Sequence, residues 1–194
     1  PTTGLQRVSA EGGMPEVLTR PDRARGESDH LWPELLPGGR AVLFTIISQL
    51  AGGLDTAQVA VRDLRTGAQK VLVRGGSNGH YVASGHLVYV AAGTLRAIPF
   101  DMNQLETHGT AVPVVAQLAT TRNGQGEYAV ATNGTLVYAE VAGVDGSNGR
   151  TLAWVDRTGK EEPVGAPPRA YQHPRLSPDG MRIAVSISDQ ENDI

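Results

Sequence analysis

The sequence predicts an all-β chain of repeated four-stranded antiparallel units, and three observations carry that prediction. Glycine closes a strand–turn–strand hairpin at matched places, Gly39, Gly85, Gly134 and Gly180, spaced 46, 49 and 46 residues apart. An aspartate then closes the third strand of a unit: Asp63 in VRDLRTG, Asp101 in IPFDMNQ and Asp156 in WVDRTG. Its carboxylate can accept from backbone N–H groups two residues on, forming an Asx-turn. Finally, 24 glycines and 12 prolines punctuate short apolar runs, and no stretch carries the i, i+3, i+4, i+7 stripe of a long helix. Four short strands every ~40–50 residues is the period of a β-propeller blade. One blade cannot bury both of its faces, so neighbours must stack to supply the core.

Taken in order, residues 4–19 read as a partial blade of two strands joined by a Glu11-Gly12-Gly13 turn. The stretch Arg20 to Leu31 reads as a polar loop broken by Pro21 and Gly26. The first full blade spans about 30–75, with a hairpin over Trp32 to Ile46 and strands over Ala57 to Leu64 and Gln69 to Val73. The second spans about 80–119, with strands over Tyr81 to Ala83, His86 to Ala91, Thr94 to Asp101 and Val112 to Leu118. The third spans about 127–165, with strands over Glu127 to Val130, Thr135 to Val141, Thr151 to Asp156 and Glu161 to Val164. A second partial blade, 171–194, holds strands over Gln172 to Leu176 and Met181 to Ser188. Its Ser177-Pro178-Asp179-Gly180 turn is the clearest of the set: proline presets φ, and glycine takes the positive φ that closes the reversal. The whole, 1–194, is one propeller domain or a segment of one, about four blades' worth. Its strand pattern is interrupted at both ends, as expected of a piece of a longer protein. The first and last partial blades could pair to close a ring; left apart, their open edges invite homo-association.

The run LSPDGMRIAVS, with the D-x-x-T-G turns, resembles the TolB-like, WD-repeat-like propellers of bacteria. The longer run from Gly149 to Ile194 resembles propeller segments attached to bacterial serine/threonine protein kinases. That resemblance implies a sensing or docking module, and an extracytoplasmic location. The kinase itself is absent from this sequence, which carries no Gly-rich phosphate loop with a following lysine, no HRD and no DFG.

Composition narrows the function. Net charge is −3, without the basic excess of a nucleic-acid binder. No apolar run approaches the ~18 residues of a membrane span. There is no cysteine, hence neither disulfides nor a thiolate zinc site. Aromatic content is only 5%, so the core must be aliphatic.

Candidate site residues follow the repeat. Arg25, Arg74, Arg122 and Arg169 enter successive units at separations of 49, 48 and 47. On one face of a propeller they would form a ring of guanidinium groups able to hold a carboxylate or phosphate. The plainer alternative is that each ties its own loop to a neighbouring carbonyl. His30, His80, His173 and Tyr171 fall near the same face, while His86 and His108 fall elsewhere in the pattern. Three histidines raise the question of a metal, but no spacing demands one, and neither metal nor cofactor is assigned. The stretches Asp145 to Gly149 and Asp189 to Asp193 lack the alternating acidic pattern of a calcium loop. No G-x-S-x-G elbow is present, and the paired carboxylates lie on turns and edges. The expectation is a non-catalytic module that binds a protein, a peptide or a small anionic ligand. The alternative is an accessory or gating propeller of a TolB-like or prolyl-oligopeptidase-like hydrolase.

Overall fold

A computed structural model describes residues 4–48, 53–121, 124–140, 150–156, 158–188 and 192–193. Arg122, the loop residues Asp145 to Gly149, and Asp189 and Glu191 lie outside the described residues. Every pairing between named strands is antiparallel. Strands β1 (Gln6–Ser9) and β2 (Gly12–Val17) form a hairpin. Blade 1 is β3 (Glu27–Leu35), β4 (Ala41–Ser48), β5 (Gln58–Asp63) and β6 (Gln69–Arg74). Blade 2 is β7 (Ser77–Val82), β8 (His86–Ala91) and β9 (Thr94–Asp101), with β10 (Glu106–Thr107) and β11 (Val112–Val115) both paired to β9. Blade 3 is β12 (Tyr128–Val130), β13 (Leu136–Ala139), β14 (Leu152–Val155) and β15 (Glu161–Pro163). The last sheet is β16 (Tyr171–Leu176), β17 (Ile183–Ser188) and β18 (Asn192–Asp193). Helical structure among the described residues is limited to three single 3-10 turns.

The second strand of each blade explains why the apolar runs AVLFTII, HLVYVA and LVYA do not alternate. Successive side chains point to opposite faces, and here both faces are covered. In β8, Leu87 and Tyr89 pack with Leu43, Val59 and Val61 of blade 1, while Val88 and Val90 pack with Leu136, Tyr138 and Val155 of blade 3. In β13, Val137 and Ala139 turn the other way and pack with Leu152 and Tyr171, joined by Ile183 and Val185. Val42, Phe44 and Ile46 of β4 bury Leu5 and cover Leu18 beside the β1–β2 hairpin. Each fully buried aliphatic side chain contributes about 1.5–3 kcal/mol of transfer free energy. The fourth strands have no such second partner: β6 and β15 are largely exposed, which places them on the outside of the stack and the first strands within.

All four repeat-marking glycines take positive φ, at 68° for Gly39, 79° for Gly85, 87° for Gly134 and 69° for Gly180. The aspartate turns are equally regular. Asp63 Oδ1 accepts from the N–H groups of Arg65 and Thr66 at 2.9 and 3.0 Å. Asp101 Oδ1 accepts from Asn103 and Gln104 at 2.7 and 2.9 Å, and Asp156 Oδ1 from Thr158 and Lys160 at 2.7 and 3.1 Å.

The structure corrects several boundaries. β3 starts at Glu27, inside the stretch expected to be loop, and blade 2 starts at Ser77. The first turn is Ala10-Glu11, with Gly12 paired to Ser9 and already in β2. The outer position of blade 2 is shared between β10 and a β11 shorter than expected, because Asp101 turns the chain back for one brief pairing first. Among the described residues, β1–β2 and β16–β18 remain separate sheets rather than joining into one blade.

Candidate functional site: the inner strands

The first strands of blade 1, blade 2 and the last sheet carry a β-bulge that the sequence pattern did not announce, whereas β12 of blade 3 keeps an unbroken register. Trp32, Asn78 and His173 each lie seven residues before a hairpin glycine and each take a left-handed φ, of 51°, 50° and 52°. They fall within the register shifts of β3, β7 and β16. A bulge leaves one residue without a ladder partner and re-aims its polar groups. At Asn78 and His173 those groups turn toward the neighbouring blade.

The backbone N–H groups that reach side chains of a neighbouring blade along the inner strands run in one sense. Thr45 Oγ1 of blade 1 accepts the Asn78 N–H of blade 2 at 2.9 Å, and Glu34 Oε1 of blade 1 accepts the Tyr81 N–H at 3.0 Å. Asn78 Oδ1 accepts the Gly126 N–H that leads into blade 3, at 2.9 Å. Glu127, at the same repeat position as Asn78, accepts the His173 N–H of the last sheet through Oε2. The Tyr128 hydroxyl donates back to the Asn78 carbonyl at 2.7 Å, and Ser77 Oγ donates to the Gly124 carbonyl at 2.7 Å. Burial, and then the nearby Glu34 charge, hold the Tyr128 phenol far above its ordinary range, so it stays a neutral donor.

Glu127 is fully buried, and its Oε1 has no hydrogen-bond partner among the described residues; Arg150 Nη1 lies 3.9 Å away. Arg150 itself donates to the Tyr171 carbonyl at 2.8 Å. Glu34 Oε2 faces His80 Nδ1 across blades 1 and 2. The His80 ring stands edge-on to Tyr128, with centroids 5.4 Å apart at 87°. The inner strands thus converge on a polar seam: Glu34, Asn78, His80, Glu127, Tyr128 and His173.

The sequence-derived candidates separate into distinct roles. His30 is buried within β3, with Nδ1 2.7 Å from Thr19 Oγ1 and Nε2 3.2 Å from Glu27 Oε2. Thr19 Oγ1 also accepts the Leu5 N–H at 2.9 Å, so His30 ties the first hairpin to blade 1. Tyr171 is buried, its hydroxyl donating to the Pro167 carbonyl at 2.7 Å. His80 and His173 stand at the seam, the first partly exposed and the second exposed. Their position depends on β7 and β16, and their partners differ: His173 Nδ1 lies 3.2 Å from Ser186 Oγ. No three His, Asp or Glu side chains among the described residues gather as a metal site. Arg25 pairs with Asp22 at 3.3 Å, Arg74 donates to Gln58 Oε1 at 3.3 Å, and Arg169 forms a β-bridge with Arg150. Sequence reasoning missed Glu34, Asn78, Glu127 and Arg150. A signal existed for two of them: Asn78 and Glu127 share the spacing of seven before the hairpin glycine.

No family model matches the sequence, and no curated protein does. Solved structures do resemble the fold. TolB from Acinetobacter baumannii matches with a TM-score of 0.61 at 14% identity, over 95% of this chain and 43% of that one. A puromycin hydrolase matches with a TM-score of 0.63 at 14% identity, over 89% of this chain and 26% of the hydrolase. A luciferin-regenerating enzyme matches with a TM-score of 0.62 at 9% identity, over 91% of this chain and 59% of that one. The chain therefore has a TolB-like β-propeller fold, and it spans less than two thirds of each of these structures' lengths.

Proposed function

We propose that this chain is a non-catalytic binding module, a scaffold of blades whose inner rim engages a protein, a peptide or a small anionic ligand. One observation carries the reading: two imidazoles, His80 and His173, stand at the inner strands on a rigid, cross-bonded seam while remaining open to solvent. Preorganised polar groups on a rigid scaffold suit recognition. The seam is less suited to nucleophilic catalysis. Ser186, beside His173, directs its hydrogen to the Gln172 carbonyl at 3.1 Å, so it receives from the imidazole rather than surrendering a proton to it. Ser77 likewise donates to a backbone carbonyl. The resemblance to kinase-attached propellers supports a docking part of a larger signalling protein outside the cytoplasm. A second reading, an accessory or gating domain of a hydrolase, is supported by the puromycin hydrolase likeness, which this chain matches over only 26% of that protein.

Histidine ring signals in NMR test the proposal, during titration with inorganic phosphate and with a short peptide bearing a free C-terminal carboxylate. The His80 and His173 signals should move while the buried His30 signal stays put. Silent His80 and His173 signals with both probes would overturn the reading.

A further inference from the structure

Blades 2 and 3 part at the end opposite the loops that enter them, leaving a cleft of about 520 Å³. Its mouth is framed by the β7–β8, β12–β13 and β14–β15 turns, represented by Ser84, Gly134 and Gly159. The cleft continues the packing between these two blades outward, and its walls are aliphatic: Val88 and Leu95 on one side, Leu136 and Val155 on the other. Val112 and Val114 of β11 also line it, yet they are 56% and 45% exposed. Two neighbouring valines left open beside a concave apolar wall are unusual for strand residues that could have packed inward.

Among the described residues, the charge at the mouth is one-sided: Asp156 and Glu161, at adjoining ends of β14 and β15, both line the cleft, and no described lysine or arginine does. Lys160 reaches away to Glu162. Asp156 is held as an anion, its carboxyl drawn below the usual range first by the Thr158 hydroxyl and then by the Lys160 and Thr158 N–H groups. Across the mouth, His86 is fixed by Ser84 through Nδ1. The volume falls within the roughly 300–1,000 Å³ of small-molecule sites, and the pattern of apolar walls with a few fixed polar groups is theirs as well.

We propose that this inter-blade cleft binds a small amphipathic cation: an apolar body between the blades and a protonated amine at Asp156 and Glu161. This site is distinct from the inner seam and stands or falls independently of the function proposed there.

The test uses a matched pair of probes, protonated 1-naphthylmethylamine and 1-naphthylacetate, which share a ring system and differ in charge. Calorimetric titration should give one amine site with a Kd below about 1 mM and binding of the acetate about tenfold weaker. Glu161→Gln should weaken the amine about fivefold and strengthen the acetate, since it removes an attraction for one and a repulsion for the other. Val114→Trp, an exposed position, should fill the cleft and abolish binding of both. Methyl NMR on the unaltered protein provides a readout that does not depend on any variant folding: amine-induced shifts should centre on Val88, Val114, Leu136 and Val155. No amine binding up to about 1 mM, equal affinity for the two probes, or shifts centred elsewhere would each overturn the proposal.

Discussion

At the scale of single residues, the most telling group is Asp63. The Thr66 N–H, then the Arg65 N–H and the Arg40 guanidinium, outweigh burial and bring its carboxyl from 3.8 down to about 2. Arg40 Nη2 lies 3.2 Å from Asp63 Oδ2. A carboxyl with a depressed folded-state pKa stabilises fully above its unfolded value, and that contribution is lost as pH falls toward the folded one. Stability should therefore be flat above about pH 4 and decline from there toward pH 2. Asp101, Asp156 and Asp179 are shifted in the same direction by their own turns, Asp101 and Asp156 at matched repeat positions, and they add to the slope. Asp63→Asn should lower Tm at pH 7 and make the acid-side fall shallower, as followed by circular dichroism during thermal melts. An unchanged pH profile would mean that the carboxylate charge does little there. These turns were legible from sequence because an Asx-turn is made within four or five residues. Glu127 was not, because its partner His173 comes from another blade and its chemistry depends on where β16 docks.

Elements show the same division between local and distant causes. β8 and β9 match their expected limits because Gly85, Ala92-Gly93 and Asp101 mark both ends locally. β3 was expected to start too late, since Glu27 to His30 reads as polar until β4 is laid beside it, pairing His30 with Ile46. The bulges were invisible for a like reason: an extra residue in one strand shows only against its partner's register. Gly79 in the β7 bulge illustrates what that geometry requires. A Cβ there would lie 2.6 Å from Val59 Cγ1 and 3.3 Å from Leu87 Cδ1, side chains of blades 1 and 2. Val59 is fully buried and stiff at χ1, so it has little room to give. Gly79→Ala should cost about 1–3 kcal/mol in urea unfolding. Made in a Val59→Ala background, the same change should cost markedly less, because the colliding methyls are gone.

Across the whole molecule, the core is divided into separate layers, one at each junction between neighbouring sheets. Leu87 belongs to the junction of blades 1 and 2, and Val137 to that of blade 3 and the last sheet. Leu87→Ala and Val137→Ala should each cost about 2–4 kcal/mol, less for the smaller valine. Together their costs should add to within about 0.5 kcal/mol, as expected of a stack held by nearest-neighbour contacts. A large excess in the double variant, measured by denaturant midpoints, would show that the layers communicate. The propeller architecture was readable from the repeat alone, whereas the seam and the inter-blade cleft arise only where two blades meet.

The one-way run of backbone N–H groups onto side chains of the preceding sheet gives the stack a grain. From blade to blade, an acceptor side chain of the earlier sheet takes an N–H from the later one: Thr45 and Glu34 from blade 2, Asn78 from blade 3, Glu127 from the last sheet. Losing the last sheet takes from Glu127 its bond at Oε2 and lets water reach the carboxylate instead. Docking that sheet therefore dehydrates a charge that a single His173 N–H only partly satisfies, so the apolar contacts of the last junction must carry the closing of the stack there.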